Sequence, residues 1–274
     1  MKMRKAFRAL AVVLMAVLLA TGCTSSGSGG GPAGAGQSVL TKVLQSKKVS
    51  IGVFADAPPY GVMNSAGQYE GFDIDKARAL AESLGAEAEF VSTTNASRIP
   101  MLETGKVDVI IAALTNLDER AQVVAMTRPY ASEGQLVVVP ADSDIRSYDD
   151  LTGRNVAATR GSVPATILNT QFPQANASLF EAVADSIQAL RSGKVDALME
   201  STAVVADIRD SEGDAVRVLE APQLAPSLVS FGVKMGDQLW LNYLNNFIMN
   251  YNISQGANES YNKWLGMDVP ELIK

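Results

Sequence analysis

Ile99-Pro-Met-Leu102-Glu-Thr-Gly105-Lys-Val-Asp108-Val-Ile110 recurs further along the chain as Ile187-Gln-Ala-Leu190-Arg-Ser-Gly193-Lys-Val-Asp196-Ala-Leu198. The Gly-Lys-Val-Asp core is identical in both copies. Each copy reads as a short apolar-periodic helix, a glycine stop, and then an apolar run without alternation. Glycine ends the helix because, lacking a Cβ, it enters the left-handed region at little cost. The unalternated run fits a parallel strand covered on both faces. Two such units predict two α/β lobes of similar plan and not one continuous sheet.

Working outward, the same grammar continues. Val49 to Phe54 is an expected strand, Asp73 to Leu84 a helix stopped by Gly85, and Ala88 to Ser92 the next strand. In the second half Asn155 to Thr159 and Ser178 to Glu181 are strands, with a helix from Pro164 to Phe172 between them. Strands and helices alternating in this order build parallel sheets with right-handed crossovers. Trp240, Tyr243, Leu244, Phe247, Ile248 and Tyr251 form an apolar stripe that must pack back on a lobe. In open parallel sheets, ligands sit beyond the carboxyl ends of the strands. That rule selects Phe54–Tyr60, Thr93–Arg98, Ala112–Arg120, Thr159–Pro164 and Glu200–Thr202 as walls of a shared cleft.

The front of the chain reads as targeting and not as fold. Lys2, Arg4, Lys5 and Arg8 precede an apolar run from Ala9 to Ala20, too short to span a bilayer but fit for a signal-peptide core. Residues 1–22 are therefore expected to be a signal peptide. Cys23, the only cysteine, follows Leu19-Ala20-Thr21-Gly22 as in a lipoprotein box, and lipidation of Cys23 is expected to anchor the chain to the membrane. Residues 23–39 then form a Gly/Ser-rich flexible tether with a reach of roughly 20–25 Å.

Composition excludes several chemistries. The 274-residue chain carries a formal charge of −6, and removing the four basic residues of the leader makes the body more acidic. An acidic body without a basic run argues against nucleic-acid binding. No histidine and a single cysteine leave no zinc site, no histidine-based catalysis and no disulfide within a monomer, so neither cofactor nor metal is expected.

Four stretches resemble one known family, the family-3 solute-binding proteins that serve ABC importers of polar amino acids. They are Gly71-Phe72-Asp73-Ile74-Asp75, Asp108 through Arg120 with Thr127-Arg-Pro129-Tyr130, Arg154 through Ser162, and Lys263-Trp264-Leu265-Gly266. The resemblance spans about residues 40 to 268. It implies the two-lobed periplasmic-binding-protein fold, with each lobe a mostly parallel α/β sheet flanked by helices. The expected division is residues 40–139 plus 230–274 in lobe 1 and 140–229 in lobe 2. Two hinge strands are expected near Leu136–Val139 and Val229–Val233. It also implies a monomer outside the cell membrane, an ABC permease as partner, and a small carboxylate ligand, expected to be a polar or acidic amino acid, held by lobe closure.

The resemblance distributes roles across the cleft. Arg120 corresponds to the arginine that takes the ligand's carboxylate, since a guanidinium matches a carboxylate bidentately. Thr115 and Ala113 lie on the same strand end, and backbone N–H groups at the Asp118 helix add dipole. Arg98 and Asn95 resemble a turn of aspartate- and glutamate-binding members, where the arginine meets a second carboxylate. Asp56, Phe54 and Tyr60 belong to the first-strand loop, with the aromatics as walls. From the second lobe come Thr159, Ser162, Glu200 and Ser201. Some positions depart from the family: Phe54 stands where dicarboxylate receptors often have arginine, Leu117 where threonine is common, and Val163 and Pro164 where polar residues are common. Ser201 replaces the aspartate that pairs with an α-ammonium, and the carboxylate falls one residue earlier, at Glu200. Either Glu200 serves the ammonium or the ligand is an organic acid without one. The need of a buried ammonium for an anion favours the first. Outside this reading stand a dehydratase-like enzyme using Asp56 and Glu200 as acid and base, and a stand-alone sensory lipoprotein.

Overall fold

The two copies of the repeated unit have the same local structure. Helix α3 (Arg98–Glu103) and helix α6 (Val183–Arg191) each end before a left-handed glycine, with φ of 71° at Gly105 and 65° at Gly193. Each aspartate then exchanges two bonds with the start of a neighbouring strand. The Asp108 carboxylate accepts from Ser50 N at 3.0 Å while its own N–H donates to Ser50 O at 2.8 Å. The Asp196 carboxylate accepts from Asn155 N at 2.7 Å, and its N–H donates to Asn155 O at 2.8 Å. The strands entered this way, β6 (Val109–Thr115) and β10 (Ala197–Ser201), are buried almost throughout.

The computed structural model describes residues 37–274; the expected signal peptide, Cys23 and most of the expected tether lie outside the described residues. In chain order lobe 1 contributes α1 (Val39–Ser46), β1 (Lys48–Val53), a small antiparallel sheet of β2 (Asp56–Ala57), β3 (Gly61–Met63) and β4 (Tyr69–Glu70), α2 (Phe72–Ser83), β5 (Glu87–Ser92), α3, β6 and α4 (Asp118–Ala121). The long strand β7 (Val124–Pro140) leads into β8 (Asn155–Thr159), α5 (Val163–Gln171), β9 (Asn176–Phe180), α6, β10, α7 (Thr202–Glu212) and β11 (Val216–Val218). Strand β12 (Leu224–Lys234) returns the chain, and α8 (Gln238–Asn252) and α9 (Gln255–Leu265) complete it.

The expectation of two separate sheets is corrected in one respect. The main sheet has the order β5-β1-β6-β12-β7-β10-β8-β9, so its hydrogen-bond ladder runs unbroken from one lobe to the other. Parallel pairs β1–β5 and β1–β6 lie on one side and β8–β9 and β8–β10 on the other. The antiparallel strands β7 and β12 join them: β12 pairs with β6 and, along Val124–Gln135, with β7, and β7 pairs on with β10 through Gln135–Val138. The β7–β12 ladder carries register shifts at Leu224/Ser227, Val229/Ser230 and Ser230/Gly232, irregularities of the kind that bend a strand and raise its twist. The hinge strands expected at Leu136–Val139 and Val229–Val233 lie within this pair.

The C-terminal stripe packs as its period demands. Trp240, Leu244, Phe247 and Ile248 are buried in the lobe 1 core, and the indole of Trp240 donates to the carbonyl of Asp108 at 2.9 Å. Lobe 2 has its own apolar core around Val137, Val156, Leu168 and Met199. Among the described residues no helix is long and apolar enough to cross a membrane.

Candidate functional site

Three of the four resembling stretches meet in one network under the cleft, and the fourth, Arg154 through Ser162, faces it from the other lobe. Gly71 enters α2 with φ of 140°, and a Cβ there would lie 2.4 Å from the carbonyl oxygen of Tyr60, so only glycine fits. Asp73 then accepts from the Tyr130 hydroxyl at 2.7 Å and from Ala113 N at 2.8 Å. Asp75 accepts from the indole of Trp264 at 2.7 Å and from Ser260 at 3.1 Å. Burial raises the Asp73 carboxyl to about 6, opposed by Lys76, whose own pKa burial lowers to about 7. The Lys76 ammonium sits 3.0 Å from the Phe72 ring centroid with three tyrosine rings around it. Ala113, held by Asp73, has a left-handed φ of 44°, a strained state for a residue with a side chain. This network fixes the backbone at the end of β6.

Above it, residues of both lobes enclose a cavity of about 30 Å³, room for a water or two. Phe54, Tyr60, Asn95, Arg98, Ala113 and Thr115 line it from lobe 1, and Ser162, Glu200 and Ser201 from lobe 2. Val163 and Pro164, the apolar departures, line it too. Three sequence-selected residues stand off the wall. Thr159 is fully buried behind it and donates to Glu200 Oε1 at 3.3 Å. Asp56 pairs with Val62 in the small sheet, half-buried, and burial with nearby Asp185 raises its pKa. Arg120 lies half-buried at the rim.

The two arginines bridge the lobes. Arg98 is only 2 % exposed; its Nη1 donates to the carbonyls of Ala112 and Ala113, each at 2.8 Å, and its Nε to Asn95 O at 3.2 Å. Its Nη2 reaches Gly161 O across the cleft at 3.5 Å, and its guanidinium lies 5.5 Å from the Phe54 ring centroid. Arg120 donates to Thr115 O and to the same Gly161 O, both at 3.1 Å. Burial lowers both pKa values, yet a guanidinium keeps its charge at any pH a protein survives. Gly161 has φ of 76°, and a Cβ added to it would lie 2.8 Å from Ala96 Cα, so the lobes touch backbone to backbone here. An amino acid therefore enters this cavity only when the lobes part.

At the lobe 2 mouth the hydroxyls are engaged as helix caps. Ser162 Oγ accepts from Ala165 N at 3.3 Å at the start of α5, and Ser201 Oγ accepts from Val204 N at 3.5 Å at the start of α7. Strand alternation predicts that Glu200 and Ser201 face opposite ways. Both line the cavity, because β10 ends at Ser201 and the pleat ends with it. Glu200 folds back so that Oε2 accepts from Ser201 N at 2.9 Å; burial raises its pKa to about 7. The expected dipole at the Asp118 helix is slight, since α4 is one turn of four residues and Leu117 supplies no side-chain cap.

Two polar residues not singled out from the sequence also line the wall, beside the apolar Val183 and Val204. Glu133 and Gln135, on β7, are 8 % and 1 % exposed and share the cavity face as residues two apart on a strand must. Glu133 Oε1 accepts from the Thr115 hydroxyl at 2.8 Å and Oε2 from the Tyr60 hydroxyl at 2.9 Å. Burial raises its pKa, against those bonds and both arginines. Gln135 Oε1 is buried with no hydrogen-bond partner. A period-2 polar pair preceding the apolar run Leu136–Val139 was the available signal.

Comparison with known proteins agrees with this architecture. Residues 49–267 match the bacterial extracellular solute-binding proteins, family 3. The glutamine-binding protein of an ABC transporter from Bacillus subtilis is 31% identical over 275 residues, covering 98% of this chain and 100% of its own. The glutamine-binding protein of Geobacillus stearothermophilus is 34% identical over 207 residues, covering 71% of this chain and 79% of its own. Among solved structures, an ancestral amino-acid-binding protein described as a precursor of cyclohexadienyl dehydratase superposes with a TM-score of 0.78 at 32% identity, covering 83% of this chain and 99% of that one. The cysteine-binding protein of Campylobacter jejuni gives 0.80 at 26%, covering 87% and 97%. With a match that takes in both lobes, the cleft and the motif network beneath it, the chain belongs to the family-3 bacterial extracellular solute-binding proteins.

Proposed function

We propose that this chain is the substrate-binding component of an ABC importer and captures a small amino acid by closing two lobes over it. The observation that carries the reading is the enclosed, charged cavity at the crossing of β7 and β12, walled by both lobes. Arg120, half-buried at the rim with only two of its N–H groups engaged, takes the ligand's carboxylate, beside the strained strand end at Ala113 and Thr115. Phe54 and Tyr60 exclude water on one side, and Glu200 answers the ligand's ammonium from the other. Arg98 spends its donors on carbonyls and so braces the closed state more than it meets a second ligand carboxylate. Asn95, Ser162, Ser201 and Thr159 support these groups, and Asp56 stands outside the first contacts.

The same reading divides the chain into lobe 1 at residues 40–139 plus 230–274 and lobe 2 at 140–229. It makes the protein an exported monomer, tethered through lipidated Cys23 and docking on a permease. It is a receptor and not an enzyme. The relatives support it, as their names include glutamine-, arginine- and cystine-binding proteins of bacteria.

The test is a thermal-shift panel of amino acids and of carboxylates without an amine. A ligand at 100 times its Kd stabilises the fold by about 2.7 kcal/mol, a plain rise in Tm. An amino acid is expected to give that rise, and Arg120→Ala to abolish it. Shifts confined to amine-free acids would replace the amino-acid reading, and chemical conversion of the bound molecule would replace the receptor by an enzyme.

A further inference from the structure

The cavity wall keeps several hydrogen-bond acceptors with unused capacity. Arg98 has carbonyl partners for Nε, Nη1 and Nη2, and Thr115 and Tyr60 give their hydroxyl protons to Glu133. Each oxygen of Glu133 and of Glu200 receives one hydrogen bond, leaving room for another. Gln135 Oε1 receives none, although the residue is almost wholly buried and lines the cavity. A buried acceptor without a protein donor is costly, and an N–H group carried in by the ligand satisfies it.

Charge points the same way. Two guanidiniums, Arg98 on the wall and Arg120 at the rim, balance the carboxylates of Glu133 and Glu200, and no charged side chain besides Arg98 and these two lines the cavity. A zwitterion with an uncharged side chain preserves that balance. A dicarboxylate adds a net negative charge in a largely buried site, where like charges repel strongly.

We propose that Glu133 and Gln135 on the hinge strand, with Glu200 opposite, form the receptor for the ligand's N–H donors, and that they restrict the cleft to net-neutral amino acids. This inference rests on the amino-acid reading above and specifies it. Glu133 is the specificity-determining member. It holds Thr115 and Tyr60 in place, and its charge is what turns acidic side chains away. Because it sits where β7 passes between lobes, a ligand that satisfies it also fixes the hinge.

The experiment is calorimetric titration of the protein with all twenty amino acids at about pH 8.5, above the value near 7 to which burial raises Glu200. The tightest ligand is expected to be net neutral, with its acidic isostere, as glutamate is to glutamine, bound at least about 100-fold more weakly. Glu133→Gln is expected to narrow that ratio at least about tenfold. If this variant does not fold, the wild-type ratio alone decides. An acidic or basic amino acid as the tightest ligand overturns the inference, as does an unchanged ratio in a folded variant. Those results leave the amino-acid reading intact, whereas no binding by any amino acid overturns that reading itself.

Discussion

Asp108 and Asp196 perform one task in two lobes: each ties its own strand to the start of a neighbour through a pair of bonds. Followed along those strands toward the cleft, the copies part company. Strand β6 ends in the strained Ala113 and in Thr115, whose carbonyl receives Arg120. Strand β10 ends in Glu200 and Ser201, one bonded back on its own strand end and the other capping a helix. The helices diverge likewise. Arg98 opens α3 and reaches across the cleft, whereas Ser186, at the matching place in α6, bonds only to Val183 O within its own turn. The repeat is thus conserved in shape at its back, where the fold needs it, and differentiated at its mouth, where binding does.

The sharpest way to break this comparison is to truncate the two matched helix residues. Arg98→Ala leaves the carbonyls of Ala112 and Ala113 without their shared donor and opens a buried hole, so a loss of about 3–4 kcal/mol is expected. Ser186→Ala should cost about 1 kcal/mol or less. Urea unfolding of both variants decides, and equal losses would mean that the two mouths are equivalent.

The second test uses pH. A carboxyl raised by burial binds its proton more tightly in the folded state than in the unfolded one. The Glu200 contribution is therefore full below about pH 4.5 and is lost as pH rises through about 7. The expected loss across that window is about 3 kcal/mol, and Glu200→Gln should remove that part of the slope. The third and smallest effect separates two glycines. Gly193→Ala, with open space around it, should cost about 1 kcal/mol of stability through its positive φ and leave affinity unchanged. Gly161→Ala meets Ala96 only when the lobes are closed, so it should weaken ligand affinity about tenfold beyond any such cost. Identical behaviour of the two would remove Gly161 from the closure contact.

Much of the scaffold was legible because each signal is local. Gly105, Gly193 and Gly85 stop helices through backbone conformation alone, and all three have positive φ. The apolar stripe of α8 follows from the helical period. The site was legible in part. Thr115, Ala113, Arg98, Tyr60 and Phe54 fall at strand ends where the topology demands a crevice. Glu133 and Gln135 escaped, since a polar pair in a long strand has no meaning until the strand is known to cross between lobes.

The sequence by itself determined the α/β alternation, the doubling of the unit, the family, and the strand ends that face the cleft. These rest on periodicity, on glycine's missing Cβ, and on motifs read residue by residue. Only the tertiary structure decided that one ladder joins the lobes, that Arg98 is spent on carbonyls, and that Glu133 and Glu200 share one small space with Arg98 while Arg120 stands at its rim. Those outcomes depend on which groups, far apart in the chain, are brought together away from water, where a single unpaired charge or hydrogen bond outweighs any local preference.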